Sequence, residues 1–232
     1  MTGRVHSLQS LGAVDGPGVR YVVFLQGCPL RCSCCHNPDT WDFEGGSEYT
    51  ASEIVSKAER FKSYFGDLGG ITASGGEPLC QAEFVRELFT LCHEKGINTC
   101  LDTSGYLLSD SAKALLDTCD RVLLDVKYTD CESYEKHVGM PYENALRFLS
   151  YLNKKMIPTT LRQVIIPSVN DNPESVKRLY ALRDTHECVD SVELLPFKKI
   201  CEMKYEKLGV PFPFKNIREA TKDDIEKLKP VQ

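Results

Sequence analysis

Gly27-Cys28-Pro29-Leu30-Arg31-Cys32-Ser33-Cys34-Cys35-His36 follows directly on the apolar run at 20–26 (RYVVFLQ) and holds four of the chain's 11 cysteines within eight residues. Cys28, Cys32 and Cys35 stand at C-x3-C-x2-C spacing. A closed zinc site needs a fourth ligand, and here only Cys34, His36 or a distant group could supply one, in awkward tetrahedral geometry. A 4Fe-4S cluster takes four cysteines, so three leave one iron without a protein ligand, open to a small molecule that can receive an electron. The other seven cysteines lie singly and read as small buried hydrophobes. An odd cysteine count in a chain with no apolar leader argues against a disulfide framework.

Outward from this loop, short β-rich runs at 20–26, 70–74, 98–102, 121–125, 159–166 and 190–195 alternate with helix-like segments at 52–65, 81–95, 110–118, 133–153 (broken at Pro141) and 174–185. The runs are Val/Ile/Leu-rich and bounded by Gly, Pro or polar residues, as strands buried on both faces should be. Asn172 and Pro173 read as a helix start, Gly96 as a helix stop, and 221–228 as a capped terminal helix. Six βα units result, in an α/β chain that curls into a partial (βα)6 TIM-like barrel or lies flat as a doubly wound sheet; periodicity does not separate the two. The weakly patterned stretches 36–49 and 198–218 read as cover over a site. One domain over 1–232 is expected, with a core at about 15–200 and residues 201–232 covering the barrel.

The 232 residues carry 28 Lys+Arg against 33 Asp+Glu, a charge of -5, with no basic cluster, which argues against a nucleic-acid partner. No run of eighteen apolar residues exists and the first ten residues are polar, so neither membrane insertion nor secretion is expected. A cytoplasmic monomer is the expectation.

The C-x3-C-x2-C loop resembles the signature of radical S-adenosylmethionine enzymes, whose fold is a partial or full (βα) barrel. Ser74-Gly75-Gly76-Glu77-Pro78, closing the second strand, resembles the Gly-Gly-Glu-Pro motif that holds the methionine amino group of the cofactor. Two glycines let backbone approach a ligand, and a carboxylate suits an ammonium. Within the superfamily the match narrows. Residues 3–7 (GRVHS), 14–20 (VDGPGVR), 35–41 (CHNPDTW), 73–77 (ASGGE), 81–86 (QAEFVR), 101–105 (LDTSG) and 124–127 (LDVK) are similar to the pyruvate formate-lyase activating enzymes. No second cysteine group lies between Cys35 and Gly75, which favours the single-cluster subgroup.

The resemblance implies an oxidoreductase whose reduced cluster splits S-adenosylmethionine into methionine and a 5'-deoxyadenosyl radical. That radical takes hydrogen from a glycine of a glycyl-radical enzyme, pyruvate formate-lyase first among candidates, with flavodoxin or ferredoxin as electron donor. An incomplete barrel leaves a lateral opening for the partner's loop. The alternatives are activation of another glycyl-radical enzyme such as anaerobic ribonucleotide reductase, small-molecule radical chemistry, and a zinc-stapled interaction module.

By the same resemblance, Cys28, Cys32 and Cys35 ligate the cluster. Cys34 stands where the family has an aromatic residue near the adenine, and the backbone of Cys34 and His36 lies near the cofactor. Gly75, Gly76 and Glu77 hold the amino group, Asp102 with Thr103 and Asp125 with Lys127 surround the methionine carboxylate, and Val126 is a further cofactor contact. A monovalent cation, Na+ or K+, near Asp102, Thr103 and Asp125 would offset its repulsion of the acidic side chains. Arg162 is a partner for an anionic or ribose oxygen, and Asp15 matches a residue near the substrate glycine loop. Lys198 stands where related enzymes have a histidine touching the cofactor, and Lys127 could contact the cofactor carboxylate or the entering peptide.

Overall fold

The computed structural model describes residues 1–229. The chain divides into two compact units, Met1–Pro29 with Thr40–Leu123, and Leu30–Asp39 with the residues from Leu124 onward. The class is α/β with a mostly parallel open sheet.

In the first unit the elements are β1 (Thr2–Gly12), β2 (Arg20–Leu25), β3 (Ser47–Thr50), α1 (Ala51–Glu59), α2 (Lys62–Phe65), β4 (Gly70–Gly75), α3 (Ala82–Glu94), β5 (Asn98–Thr103), α4 (Asp110–Leu116) and the start of β6 (Arg121–Asp125). The strand order is β3-β1-β2-β4-β5-β6. β2 and β4 run parallel from Arg20↔Gly70 to Leu25↔Gly75, and β4 pairs β5 in parallel from Gly70↔Asn98. Parallel pairing requires crossovers, which α1 and α3 supply. Phe84, Val85, Leu88, Phe89 and Cys92 of α3 recur at helical spacing and are all buried.

Two strands were not expected from the sequence. β1 pairs antiparallel with β2 and with β3, yet of its residues only Gly3, Val5 and Gly12 are buried. A ribbon so exposed has no apolar alternation to read. The helix expected at 52–65 is two, since Phe61 leaves helical geometry (φ -106°, ψ 4°) and sets its ring 5.7 Å from that of Tyr21. The capping box of Thr50 and Glu53 starts α1 one residue before the expected position.

The second unit holds the end of β6, α5 (Cys131–Val138), α6 (Tyr142–Lys155), β7 (Thr159–Ile165), α7 (Pro173–Thr185), β8 (Val189–Pro196), α8 (Glu202–Leu208) and α9 (Lys222–Glu226). β7 and β8 are parallel. The break expected at Pro141 is present: α5 stops at left-handed Gly139 (φ 81°) and Pro141 caps α6. Asn172 accepts from the Ser175 N–H at 2.9 Å with Pro173 in the first turn, as read from the sequence. α8 lies in the stretch read as unpatterned, and its buried faces are Cys201, just before it, and Tyr205. None of the 11 cysteines is in a disulfide; of the solitary ones expected to be buried, Cys92, Cys100, Cys188 and Cys201 are, whereas Cys80 and Cys119 are half-buried and Cys131 is exposed. Among the described residues no helix is long and apolar enough to cross a membrane.

Arg20 ties the starts of three strands together. Fully buried, it donates from Nε to Thr72 Oγ1 (3.0 Å), from Nη1 to Leu68 O (3.0 Å) and Asn98 Oδ1 (2.9 Å), and from Nη2 to Ile71 O (2.5 Å). Arg20→Met leaves these acceptors dry and unmatched. It is expected to lower unfolding free energy by about 3 kcal/mol or more, read as an earlier urea midpoint in far-ultraviolet circular dichroism.

Candidate functional site

In the first unit the site begins where β2 ends. Gly76 donates its N–H to Leu25 O (2.8 Å), Glu77 to Gly27 O (2.9 Å), and Gly27 to Thr40 O (2.8 Å). The glycine pair is required by this approach: a Cβ on Gly75 (φ 107°) would lie 2.3 Å from Leu25 N, and one on Gly76 would lie 2.3 Å from Gly27 O. Cys28, next in the chain, is buried. Gln81, inside a family-like stretch but given no role from the sequence, donates to Gln26 O (2.8 Å) and Arg4 O (2.9 Å) and accepts from Arg4 N (2.8 Å), fastening β1 to the end of β2.

The Glu77 carboxylate points inward, 2% exposed. It accepts from Leu79 N (3.1 Å), Thr103 Oγ1 (2.6 Å), Ser104 N (3.0 Å) and Ser104 Oγ (2.5 Å). Those four donors match the roughly four lone-pair sites of a carboxylate. Burial raises its pKa, and the donors from Ser104, Thr103 and Leu79 hold that rise in check. Thr103 thus spends its hydroxyl on Glu77, while Asp102 accepts from Ser74 Oγ at 2.8 Å. Neighbouring strand residues face opposite sides, which explains the split. Thr72, two residues before Ser74 and so on the same sheet face, donates to Asp15 O at 2.8 Å and draws the Asp-Gly-Pro-Gly turn to that face.

In the second unit Cys35 donates its N–H to Cys32 O (3.0 Å), and Ser33 donates to His137 O (2.8 Å). Cys34 is 8% exposed, as buried as Cys28 at 9%, and burial pushes its thiol up to about 11. His36, its pKa lowered by burial, donates from Nε2 to the Lys198 carbonyl at 3.1 Å. The Lys198 ammonium instead meets Glu219 Oε2 and Ala220 O, both at 3.3 Å. Its backbone, not its side chain, meets His36.

Asp125 lies between Lys127 Nζ and Arg162 Nε, the latter at 3.3 Å. Burial pulls the Asp125 pKa up, but Lys127 and Arg162 outweigh it and hold the carboxyl below the usual range. For Lys127 burial works downward, and Asp125 with the Cys32 and Cys34 sulfurs raises it well above the ordinary value. Val126 is buried, donates its N–H to Arg162 O (2.9 Å) and accepts from Gln163 Nε2 (3.2 Å). Among the described residues no three His, Cys, Asp or Glu side chains gather on one point as a single metal ion would require. A cubane makes a different demand, one thiolate per iron.

Residues 22–180, from β2 into α7, match the model of the Radical SAM superfamily. The chain belongs to the radical SAM superfamily. It is 42% identical over 228 residues to the pyruvate formate-lyase-activating enzyme of Clostridium pasteurianum, covering 98% of this chain and 95% of that one. To the pyruvate formate-lyase 1-activating enzyme of Escherichia coli strain K12 it is 37% identical over 232 residues, covering 99% and 94%. These likenesses place it within the family of pyruvate formate-lyase-activating enzymes. Streptococcus suis SuiB bound to S-adenosylmethionine shares the fold, with a TM-score of 0.67 at 16% identity over 87% of this chain and 43% of that one.

Two outcomes follow from the buried carboxylates. Ser104→Ala removes a donor to ionised Glu77 and is expected to cost about 1 to 3 kcal/mol at pH 7.5. Because the Glu77 pKa already lies above its unfolded value, ionisation opposes folding as pH rises past about 4.5. The variant's deficit in urea unfolding is therefore larger at pH 7.5 than at pH 4.5. Asp125→Asn strands two cations and is expected to lose about 3 to 5 kcal/mol. The depressed Asp125 pKa has the opposite sign: its contribution is present above the usual carboxylate range and disappears as pH falls through the folded value, so wild type and variant converge in acid.

Proposed function

We propose that this chain activates pyruvate formate-lyase. The observation that carries the reading is a trio of cysteines at C-x3-C-x2-C spacing after β2, outside any disulfide, in a chain 37–42% identical over nearly its whole length to activating enzymes of that name. The donor chemistry suits a 4Fe-4S cluster: Cys28, Cys32 and Cys35 would hold it, and Cys34, which the C-x3-C-x2-C spacing does not need, would stay out of its coordination. When bound, such a cluster supplies the electron that splits S-adenosylmethionine into methionine and the 5'-deoxyadenosyl radical that takes hydrogen from a partner glycine.

The chain's own residues would do the binding and orienting. With the Glu77 carboxylate saturated, the role left for Gly75-Gly76-Glu77 is to present backbone carbonyls to the methionine ammonium, while Glu77 braces residues 103–104. Lys127 and Arg162 neutralise Asp125 and would turn toward the methionine carboxylate or a ribose oxygen, with buried Val126 fixing the strand between them. A monovalent cation beside Asp102 would find the Thr103 hydroxyl already engaged by Glu77. His36 would line the cofactor from the loop, Lys198 contributing through its carbonyl. Asp15, pinned on the Asp102 face of the sheet, would meet the partner's glycine loop. Flavodoxin or ferredoxin would deliver the electron, and the chain would work as a cytoplasmic monomer of one domain.

The test is anaerobic reconstitution with iron and sulfide, followed by incubation with S-adenosylmethionine, reductant and pyruvate formate-lyase. A glycyl radical on the partner by electron paramagnetic resonance, with one methionine released per radical, is expected. Cleavage without a partner radical would reject the assignment. Cys28→Ala, Cys32→Ala and Cys35→Ala are expected to lose the cluster, while Cys34→Ala keeps its iron content.

A further inference from the structure

The segment Leu30–Asp39 belongs to the second unit, although the next part of that unit in the chain begins only at Leu124. A ten-residue excursion of this kind has no strand partner of its own and must be held at both ends. Its entry is held by the end of α5: Arg31 and Ser33 donate their N–H groups to Val138 O (3.4 Å) and His137 O (2.8 Å), and Ser33 Oγ lies 3.2 Å from His137 Nδ1. Its middle is held by His36 on the Lys198 carbonyl. At its exit, Lys204 donates to Asn37 Oδ1 at 2.8 Å and Asp39 Oδ1 at 3.0 Å.

Lys204 can act this way because its helix is anchored. Cys201 and Tyr205, four residues apart and 0% and 1% exposed, turn one side of α8 inward. Tyr205 packs on Phe212 (ring centroids 4.8 Å), Phe212 on Phe197 (6.2 Å), Phe197 on Phe214 (6.0 Å) and Phe214 on His137 (5.5 Å). One aromatic chain therefore backs both the entry clamp and the exit clamp. The Lys204 and Asp39 side chains are only 34% and 29% exposed, unlike an ordinary surface pair. A compact ammonium with three donors can serve two acceptors two residues apart from a single point.

We propose that Lys204 is a positioning residue for the cysteine loop: by bridging Asn37 and Asp39 it fixes the exit of the segment that carries Cys32 and Cys35, and so holds those thiolates in the spacing a cluster needs. This rests on the reading of the loop as the cluster-binding segment. The experiment compares wild type, Lys204→Met, Lys204→Arg and, on α7, Lys177→Met. Hydrogen exchange of peptides spanning 30–41 is measured in the iron-free chain, with β7 and β8 as internal reference, and chelator-driven iron release is measured after reconstitution. Lys204→Met is expected to speed exchange of the loop about tenfold with the strands unchanged, to speed iron release, and to broaden the resonance of the reduced cluster. Lys204→Arg should restore most of each, and Lys177→Met should match wild type. If Lys204→Met is poorly folded, Asn37→Ala with Asp39→Asn probes the same bridge from the loop side. Loop exchange unmoved by Lys204→Met and by the loop-side pair, or iron release unmoved while exchange quickens, overturns the proposal. A wild-type chain that takes up no iron would instead count against the functional reading, and the exchange comparison on the iron-free chain still decides whether Lys204 orders the loop.

Discussion

The constraint on which the first unit's candidate residues depend is the contact between the ends of β2 and β4, where Gly76 and Glu77 donate to Leu25 O and Gly27 O. Parallel strands in register bring their carboxyl ends to one edge, and ligands of open α/β folds bind at that edge. Register alone would leave the two loops at ordinary strand spacing. The glycine pair closes the gap, because any side chain there would collide with backbone. Once the backbones meet, the chain after Gly76 can go only inward, which buries Glu77 and makes it the anchor of the loop after β5. Gln81 then fastens the same edge to β1. Two glycines thus organise four strands.

In the second unit the corresponding role falls to aromatic packing. The chain of rings from Tyr205 to His137 has no polar function of its own, but the groups that touch the cysteine loop are attached to its two ends. Edge-to-face and offset ring contacts favour particular orientations as well as burial. That lets a loop with little regular structure inherit the rigidity of a core.

The parts of this structure written in the sequence are those governed by local rules. Six runs became β2 and β4 to β8 within a residue or two: β2 and β6, buried almost throughout, are apolar as such strands must be, while β8, with only Val189 buried, was marked by its Val and Leu content alone. Gly139, Pro141 and Asn172 acted as their backbone preferences require. β1, β3 and α8 were missed for the converse reason: β1 and β3 are largely exposed, and α8 buries only its Cys201 and Tyr205 side, so none has a periodic stripe. The cysteines and the glycine pair were legible by spacing, but the direction of a side chain was not. Nothing in Ser-Gly-Gly-Glu-Pro says that the glutamate turns onto residues 103–104, since its partners Thr103 and Ser104 lie 26 and 27 residues on. Lys198 was likewise placed by position, and Glu219, 21 residues away, decides where its ammonium goes.

Glu77 and Asp125 show two ways of burying a carboxylate, and the difference bears on what each can do. Glu77 is satisfied by neutral hydroxyl and amide donors, two of them backbone N–H groups that cannot turn away. An incoming ligand would have to break that shell to reach the oxygens, and an exchange that strips a buried charge of its donors is costly. Asp125 is satisfied by Lys127 and Arg162, long side chains whose ends can move while their stems stay packed. An arriving carboxylate can share or take over those cations without stripping the site of charge compensation, provided that another positive group comes to Asp125. A ligand that carries its own ammonium and sulfonium beside its carboxylate brings such compensation with it. Asp125 is therefore balanced by side-chain charges alone, and Glu77 by a shell that includes two backbone donors.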